Sequence, residues 1–383
     1  MKVYMDYQAT TPCDQRVVES MLPYFTEEFG NPHSGHIIGQ RASDAVEKAR
    51  QQIADLIKAE DRKELIFTSG ATESNNLAIQ GVAKFYQNGR KKIITSSIEH
   101  KCVIETCLDL KLQGFNVVFA PVNSEGIVDL EFLQKEIDDD TLLVSIMTVN
   151  NEIGTIQPIK EISKLCRKHN AIFHTDAAQA LGKIDIDVAD VDLMSLSGHK
   201  IYGPKGVGSL YVRMKPRIRL APLFSGGGQE RGMRSGTLPV PLCVGFGKAC
   251  EIAQSEMPEE KTRLEEFKNF FIDKILSALP KVYLNGSREQ RVPGCLNFSF
   301  EGVEGEGIML GIPEICVSSG SACTSESLEP SYVLKALSVR EDLAHCSLRI
   351  GFGRFTTFDE VKYVTNRLIE VVTRLREMSP LWE

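Results

Sequence analysis

The feature that most constrains the fold is an alternation, between residues 60 and 215, of short β-branched runs with longer segments of helical periodicity. The runs have the length of strands and lie at residues 65–68, 92–95, 116–120, 142–147, 172–175, 193–195 and 208–212. This alternation predicts an α/β architecture built on a largely parallel sheet. Runs that are apolar on both faces, such as 142–147, are typical of strands covered by helices on each side. Because ligands of such sheets bind at the carboxyl ends of the strands, the residues after each run are the first candidates for a site.

The chain has 383 residues, which is more than one compact core usually supports, so we expect two domains. A charged stretch at 255–260 follows one helical pattern, and a second helical segment at 261–279 opens the second domain. We therefore predict a large domain at 15–257 and a smaller α+β domain from 1–14 and 258–383. The smaller domain contains predicted strands at 295–300 and 348–352. It ends in a helix at 357–378 that begins with a capping box of Thr357 and Glu360.

Composition excludes several classes of protein. No apolar run approaches the roughly 20 residues that a membrane-spanning helix needs. A net charge of -7 with dispersed basic residues argues against nucleic acid as a direct partner. The ten cysteines are scattered without C-x-x-C spacing, which indicates free thiols in a reducing compartment. The first residues show neither a signal core nor an amphipathic presequence, so we expect any targeting segment to be absent or already removed.

The run at 65–68 leads through Gly70 into a helical pattern that starts at Ala71 and Thr72. A glycine turn that exposes backbone N–H groups at a helix start is an anion site, and Thr72 adds a hydroxyl. By itself, however, this pattern favours a simple helix cap at Thr72.

Asp176 follows the run at 172–175, and Ser197, His199 and Lys200 follow the run at 193–195. A buried acid costs free energy unless it is paired, which implies a cationic partner such as a protonated heterocycle. A lysine in this turn could form an imine with an aldehyde cofactor, its pKa lowered by burial and neighbouring cations, although a solvated lysine fits equally well. Asp176, Lys200 and the turn at Thr72 together match pyridoxal phosphate (PLP), which needs an acid, an imine-forming lysine and a phosphate cradle.

The segment at 318–325, SSGSACTS, consists of small polar residues and predicts a mobile loop. Cys323 is therefore the cysteine that we expect to be exposed and reactive. An incidental surface thiol is the alternative interpretation. A thiol on a mobile loop would be a nucleophile able to move between sites.

The segments SGHKIYGPKG, HTDAAQALGK, TSGATESNNLAI, VNNEIGTIQP, GGGQERGMRSGT and SSGSACTSESLEPSYVLKAL resemble the cysteine desulfurases of iron–sulfur cluster assembly, the NifS/IscS group of the class V aminotransferase-like family. The resemblance covers nearly the whole chain. It implies the PLP-dependent transferase fold type I, with a mostly parallel seven-stranded sheet and a small domain that carries the catalytic-cysteine loop at about 318–328. It also implies the removal of sulfur from L-cysteine, which gives L-alanine and a persulfide on Cys323.

The resemblance assigns a role to each candidate residue. Lys200 would hold PLP and later transfer the Cα proton of the substrate, and Asp176 would pair with the ring nitrogen. His100 would stack on the ring and transfer protons, although without the resemblance it favours a structural histidine. Arg349, otherwise an ordinary ion-pair residue, would bind the substrate carboxylate. The remaining contacts fall to Gln179 and Asn151 at the ring oxygen, Asn151 also at the substrate, and Ala71, Thr72, Ser197, His199 and a second subunit's Thr237 at the phosphate.

The expected assembly is a homodimer that hands sulfur to an iron–sulfur scaffold protein, to tRNA-thiolating relays, or to both, with a small accessory protein as a further partner. Cys323 could become a transient iron–sulfur ligand in such a complex. Relatives usually continue beyond Glu383 with a scaffold-docking tail. They usually carry serine at Cys346, which favours a neutral replacement, with a redox-sensitive second thiol near the site as the alternative. The resemblance indicates a mitochondrion or a derived organelle, with the cytoplasm as the alternative. Rival functions are another PLP lyase, such as a selenocysteine lyase, and an inactive sulfur-relay subunit.

Overall fold

The computed structural model describes residues 2–319, 330–379 and 382. Its strands are β1 (Val3–Tyr4), β2 (Leu65–Thr68), β3 (Lys92–Ser96), β4 (Asn116–Ala120), β5 (Thr141–Ser145), β6 (Ile172–Asp176), β7 (Leu193–Ser197), β8 (Gly208–Val212), β9 (Val282–Leu284), β10 (Cys295–Phe300), β11 (Ile315–Cys316) and β12 (Ser347–Gly351). Its helices are α1 (Gln15–Met21), α2 (Pro23–Thr26), α3 (Ile37–Ile57), α4 (Ala71–Phe85), α5 (Lys101–Leu112), α6 (Leu130–Glu136), α7 (Ile159–Lys168), α8 (Val240–Ala278), α9 (Gly305–Gly311), α10 (Tyr332–Ala336), α11 (Glu341–His345) and α12 (Phe358–Met378). Within these described ranges, no helix has both the length and the apolar character needed to cross a membrane.

The predicted sheet is present and has seven strands in the order β2-β8-β7-β6-β5-β3-β4. Only β8 runs antiparallel to its neighbours, β2 and β7, and the other pairings are parallel. β2, β4 and β8 have the predicted ends, and the other four strands differ by one or two residues at an end. The prediction of a mostly parallel α/β sheet is therefore confirmed.

Helices cover this sheet on both faces because alternate strand residues point to opposite sides. Ile66 and Ile93 belong to the core formed with α4 and α5, whereas their neighbours Phe67 and Ile94 belong to the core formed with α3, α7 and the first part of α8. Because both faces of the sheet are apolar, the strand sequences are continuous hydrophobic runs. Polar functional side chains can therefore lie only at the ends of the strands.

A further apolar core surrounds the antiparallel sheet β9-β10-β12. The last helix, α12, packs against it and starts with the predicted capping box, in which the Thr357 hydroxyl accepts from the Glu360 N–H and the Glu360 carboxylate accepts from the Thr357 N–H. At the opposite end of the chain, β1 pairs in parallel with β11. The N-terminal segment is thereby fastened close to the residues that precede position 320.

Helix α8 differs from the sequence prediction, which placed a new helical segment at 261. It is one helix through Pro258, although a proline inside a helix lacks the N–H that would bond to the preceding turn. The helix continues because both halves are buried: Phe246 packs into the sheet core, and Leu264 and Phe271 pack into the β10–β12 core. The predicted boundary at 257/258 falls inside this continuous helix, and the division into domains stays a prediction.

Candidate active site

The carboxyl ends of the parallel strands surround a cavity of about 470 Å³. Its wall contains ten of the residues predicted from the sequence, namely Ala71, Thr72, His100, Asn151, Asp176, Gln179, Ser197, His199, Lys200 and Arg349. Thr237 is exposed and lies outside this wall. Cys323 lies outside the described residues. The structure therefore brings ten candidates together, while their individual roles stay predictions.

Asp176 ends β6 and is buried, as the sequence prediction required. Its Oδ2 accepts a hydrogen bond of 2.7 Å from Asn75 Nδ2, and its Oδ1 accepts one of 2.9 Å from the backbone N–H of Ala178. These donors hold the carboxylate in one orientation on the cavity wall. A fixed, buried carboxylate in this place suits a cationic ring nitrogen.

Lys200 lies in a single 3-10 turn, Gly198–Lys200, that directly follows β7. Its Nζ donates to the backbone oxygens of Gln8 at 2.6 Å and Ala9 at 2.7 Å. Both carbonyls come from the N-terminal segment, far away in sequence. These two backbone acceptors hold the amine at the cavity.

The far end of the cavity has the properties of an anion site. Gly70 takes a φ of 153°, which side-chain-bearing residues rarely adopt, and this turn aims the start of α4 at the cavity. The Ser197 hydroxyl is buried and has no hydrogen-bond partner within the described part of the chain. His199, whose Nδ1 lies 3.0 Å from the Thr10 hydroxyl, has its pKa lowered to about 4 by burial and by nearby lysines. Helix N–H groups and an unsatisfied hydroxyl fit the phosphate of PLP.

A carboxylate at the same helix start does not oppose an anion there. Glu73 accepts from the Ser69 N–H at 2.7 Å and from Arg234 Nε at 2.8 Å. Burial alone would raise the pKa of Glu73, but the bonds from Arg234 and Ser69 outweigh it and leave the pKa lowered. Arg234 thus neutralises the Glu73 carboxylate, and the ion pair connects the loop that contains Arg234 to α4.

His100 caps α5, and its Nδ1 accepts from the backbone N–H of Cys102 at 3.3 Å. Since a backbone N–H can only donate, Nδ1 is unprotonated and a neutral His100 carries its proton on Nε2. Burial lowers the pKa of His100, outweighing the opposite effect of Asp176. The imidazole is therefore neutral near pH 7.

Arg349 is buried and already has acceptors. Its Nη2 donates to Asp6 Oδ1 at 2.8 Å and its Nη1 donates to the Asn151 backbone oxygen at 3.0 Å. Its Nε has no acceptor among residues 2–319, 330–379 and 382. A carboxylate bound here would find the Nε–H unused and would share the guanidinium with Asp6.

Comparisons with known proteins agree with this geometry. The family model described as aminotransferase class-V matches residues 3–364. The chain belongs to this family. Cysteine desulfurase IscS of Rickettsia typhi is 57% identical over 386 residues, covering 100% of this chain and 94% of that protein, and the same enzyme of Rickettsia bellii is 58% identical with the same coverage.

Solved structures of class-V aminotransferase relatives share the fold. A NifS-like protein superposes with a TM-score of 0.91 at 37% identity, covering 98% of this chain and 100% of that one. A structure described as SspA in complex with cysteine gives a TM-score of 0.83 at 40% identity, covering 93% and 100%. The expected fold type I is thereby confirmed.

The sequence patterns did not identify the residues that hold the predicted site residues in place. Asn75 donates to Asp176, the Gln8 carbonyl accepts from Lys200, and Glu73 accepts from the Ser69 N–H at the helix start. Glu73 and Asn75 belong to the segment TSGATESNNLAI, but from this segment only Ala71 and Thr72 were predicted as site residues.

The positions of two cysteines relative to the cavity differ from what the sequence suggested. Cys346 is buried and is absent from the cavity wall, so it is not the second thiol near the site. Cys102 is in the wall instead, with its Sγ 3.1 Å from His100 Nδ1, and burial raises its pKa to about 12. A thiol that stays protonated is a poor nucleophile. The described residues contain no cluster of three or more His, Cys, Asp or Glu that could hold a metal.

Proposed function

We propose that this protein is a PLP-dependent cysteine desulfurase, which converts L-cysteine to L-alanine and leaves the sulfur as a persulfide on Cys323. The observation that carries the proposal is the convergence of Asp176, Lys200 and the start of α4 on one cavity. These residues meet the three needs of PLP in a chain that is 57% identical, over its whole length, to proteins named cysteine desulfurase IscS. The cofactor of this family is PLP, and the sulfur serves iron–sulfur cluster assembly.

PLP, when bound, draws electron density from the substrate Cα and so makes its proton easier to remove. Asp176 would keep the ring nitrogen protonated, because its buried carboxylate is fixed by Asn75 and needs a positive partner. Ser197 and the N–H groups at the start of α4 would hold the phosphate. The chain would thus hold the cofactor at both ends.

Lys200 would hold the cofactor covalently and, when free, would move the Cα proton of the substrate. The Gln8 and Ala9 carbonyls keep the displaced amine at the cavity, so it remains within reach of that proton. Asn151 and Gln179 would contact the ring oxygen, and Arg349 would bind the substrate carboxylate with its unused Nε–H. Neutral His100 would stack on the ring and donate from Nε2.

In the sulfur-transfer step, the Cys323 thiolate attacks the substrate sulfur and a new S–S bond forms. The substrate C–S bond breaks and its electron pair stays on carbon, which then takes up a proton. Cysteine minus one sulfur atom is alanine, so no external oxidant or reductant is needed. The product sulfur is bound to Cys323 as a persulfide.

The proposed function also includes a homodimer and partner proteins that accept the sulfur. The protein acts as a homodimer in which Thr237 reaches the partner's phosphate site, and it hands sulfur to an iron–sulfur scaffold, with an accessory protein and tRNA-thiolating relays as further partners. Cys323 serves as a transient cluster ligand in the scaffold complex. The relatives named above come from Rickettsia, which fits a cytoplasmic bacterial-type enzyme, whereas a mitochondrial location rests on the sequence resemblance alone.

The test incubates the PLP-loaded protein with L-cysteine and measures alanine by chromatography and the Cys323 persulfide by mass spectrometry. Wild type should give both products, while Lys200→Ala and Cys323→Ser should give neither at a comparable rate. Cys316→Ser, which removes a different thiol at an exposed position, is the matched control and should behave as wild type. Equal alanine formation by Cys323→Ser would instead indicate a lyase such as a selenocysteine lyase. No alanine from loaded wild type would indicate an inactive relay subunit.

A further inference from the structure

Lys183 ends the segment HTDAAQALGK and has no role in the mechanism above. It lies in the turn that follows β6, directly after Gly182, whose φ of 68° allows the chain to reverse there. A Cβ at Gly182 would approach the side chains of Ala253 and Ile201 to 3.0 and 3.2 Å, so the turn is packed tightly against the body of the protein. The packing gives Lys183 a defined position behind the cavity wall.

The Lys183 ammonium donates to Gln179 Oε1 at 2.7 Å. A lysine ammonium has only donors, so the atom facing it must be the amide oxygen. The Gln179 Nε2 then donates to the Gln8 backbone oxygen at 2.9 Å. That same oxygen accepts from Lys200 Nζ at 2.6 Å. One hydrogen-bonded chain therefore joins Lys183 to Lys200 through Gln179 and Gln8.

We propose that Lys183 is a positioning residue for the cofactor site, which fixes and polarises the Gln179 amide and thereby sets the surroundings of the Lys200 nitrogen. The inference rests on the proposed PLP chemistry. Gln179 is the residue assigned to the ring oxygen, and a cation on its carbonyl makes its N–H groups better donors. Lys183 is half-buried, so its ammonium needs hydrogen-bond acceptors where water cannot reach it, and the Gln179 amide oxygen is such an acceptor.

The surroundings of Lys183 maintain its charge near neutral pH. Burial lowers the pKa of Lys183 to about 8, and the charge of Arg349 acts in the same direction. Cys295 and Glu260, on the elements packed against the turn, raise this pKa. Lys183 in turn contributes to the lowered pKa of His199. The ammonium is thus a cation whose field reaches the phosphate side of the cavity as well as the ring side.

A second, much smaller cavity of about 20 Å³ lies on the other side of Lys183, between the core of the main sheet and the β10–β12 core. Gln8 lines both cavities, and Glu260 lines only the small one. Lys183 therefore lies between the cofactor cavity and this second cavity, and Glu260 is the acid that the second cavity brings to its side.

The test compares wild type with Lys183→Met, which keeps the length of the side chain but removes its charge and its donors. Lys183→Gln restores a donor without charge, and Lys168→Met, at an exposed position of α7, is the matched control. PLP affinity is measured by titrating the apo protein and following the visible absorbance of the Lys200-bound cofactor. The pH midpoint of this absorbance is measured in parallel, and far-UV circular dichroism checks the fold.

We expect Lys183→Met to bind PLP about tenfold more weakly, as is typical when a residue that supports a ligand contact is removed. Its pH midpoint should rise, because a nearby cation no longer opposes protonation of the cofactor-bound nitrogen. Lys183→Gln should regain most of the affinity but keep the raised midpoint, and Lys168→Met should match wild type in both readings.

Wild-type affinity and midpoint in a folded Lys183→Met protein would overturn the proposal, as would a midpoint in Lys183→Gln equal to that of wild type. If Lys183→Met does not fold, Lys183→Gln decides the question through its midpoint. These readings need no cysteine turnover. A wild type that binds PLP but forms no alanine would therefore refute the desulfurase function and leave this proposal standing.

Discussion

Glu230 and Arg50 form a buried ion pair that fastens the loop before α8 to the main sheet, and its loss should be costly. Arg50 Nη1 and Nη2 donate to the two carboxylate oxygens of Glu230 at 2.8 Å each, and the Phe67 N–H donates to Oε2 at 2.7 Å. Burial lowers the pKa of Arg50, but the bonds and charge of Glu230 outweigh it and leave the pKa raised. Both side chains are about 5% exposed or less.

Glu230→Gln keeps the shape of the side chain and removes its charge, which leaves the Arg50 cation buried without its main partner. Breaking a buried pair from one side costs about 3–5 kcal/mol. The same guanidinium also contacts Glu47, whose side chain is 40% exposed. Glu47→Gln is a control on the same arginine, because Arg50 keeps its buried partner Glu230 and the lost acid lies at the surface, so we expect a cost of no more than about 1 kcal/mol.

The assay is urea-induced unfolding of both variants and wild type, followed by far-UV circular dichroism for the whole chain. Trp382, the single tryptophan, stacks on Arg376 away from this ion pair, and its fluorescence reports the β10–β12 region separately. Glu230→Gln should lose at least about 3 kcal/mol in the dichroism transition. A loss no larger than that of Glu47→Gln would refute the reasoning and show that water or rearrangement compensates the buried cation.

Two further outcomes are expected. Asp6→Asn keeps the acceptor for Arg349 but removes a charge that repels the substrate carboxylate. The KM for cysteine should therefore fall by about fivefold, equivalent to about 1 kcal/mol. A raised KM would show that Asp6 orients Arg349 instead. His174 is buried between the hydroxyls of Ser145 and Ser195, and burial lowers its pKa to about 3. Because only the unfolded chain then takes up this proton, the free energy of unfolding should fall by about 2 kcal/mol between pH 7 and pH 5 on account of His174. His174→Gln should show a correspondingly flatter pH dependence in urea unfolding, and an unchanged slope would contradict the assignment.

The secondary structure was largely predictable because its signals are local. All seven strands of the main sheet, the strands β10 and β12 and the capped helix α12 appear where the hydrophobic pattern placed them. The prediction differed at α8, where a proline inside charged sequence indicates a break. Tertiary packing kept this helix continuous, because each half is buried against a different core.

The site was predictable where residues directly follow strands, as with Asp176 and Lys200, since strand ends meet at one edge of a parallel sheet. The partners of these residues were not predictable. Gln8 reaches Lys200 across 192 positions, and Asn75 reaches Asp176 across 101. No local pattern marks such contacts, and for the same lack of spatial information the sequence left open whether Cys346 lies near the site.

The sequence by itself therefore determined the order of the elements, the sheet and the residues that carry the chemistry, because hydrophobic periodicity and turn chemistry act over a few neighbouring positions. The tertiary structure decided how these residues are held. The folded structure pairs Arg349 with Asp6 and neutralises Glu73 with Arg234. It also connects Lys183 to Lys200 through a series of hydrogen bonds. These contacts depend on the packing of distant segments, and packing is a property of the folded chain as a whole.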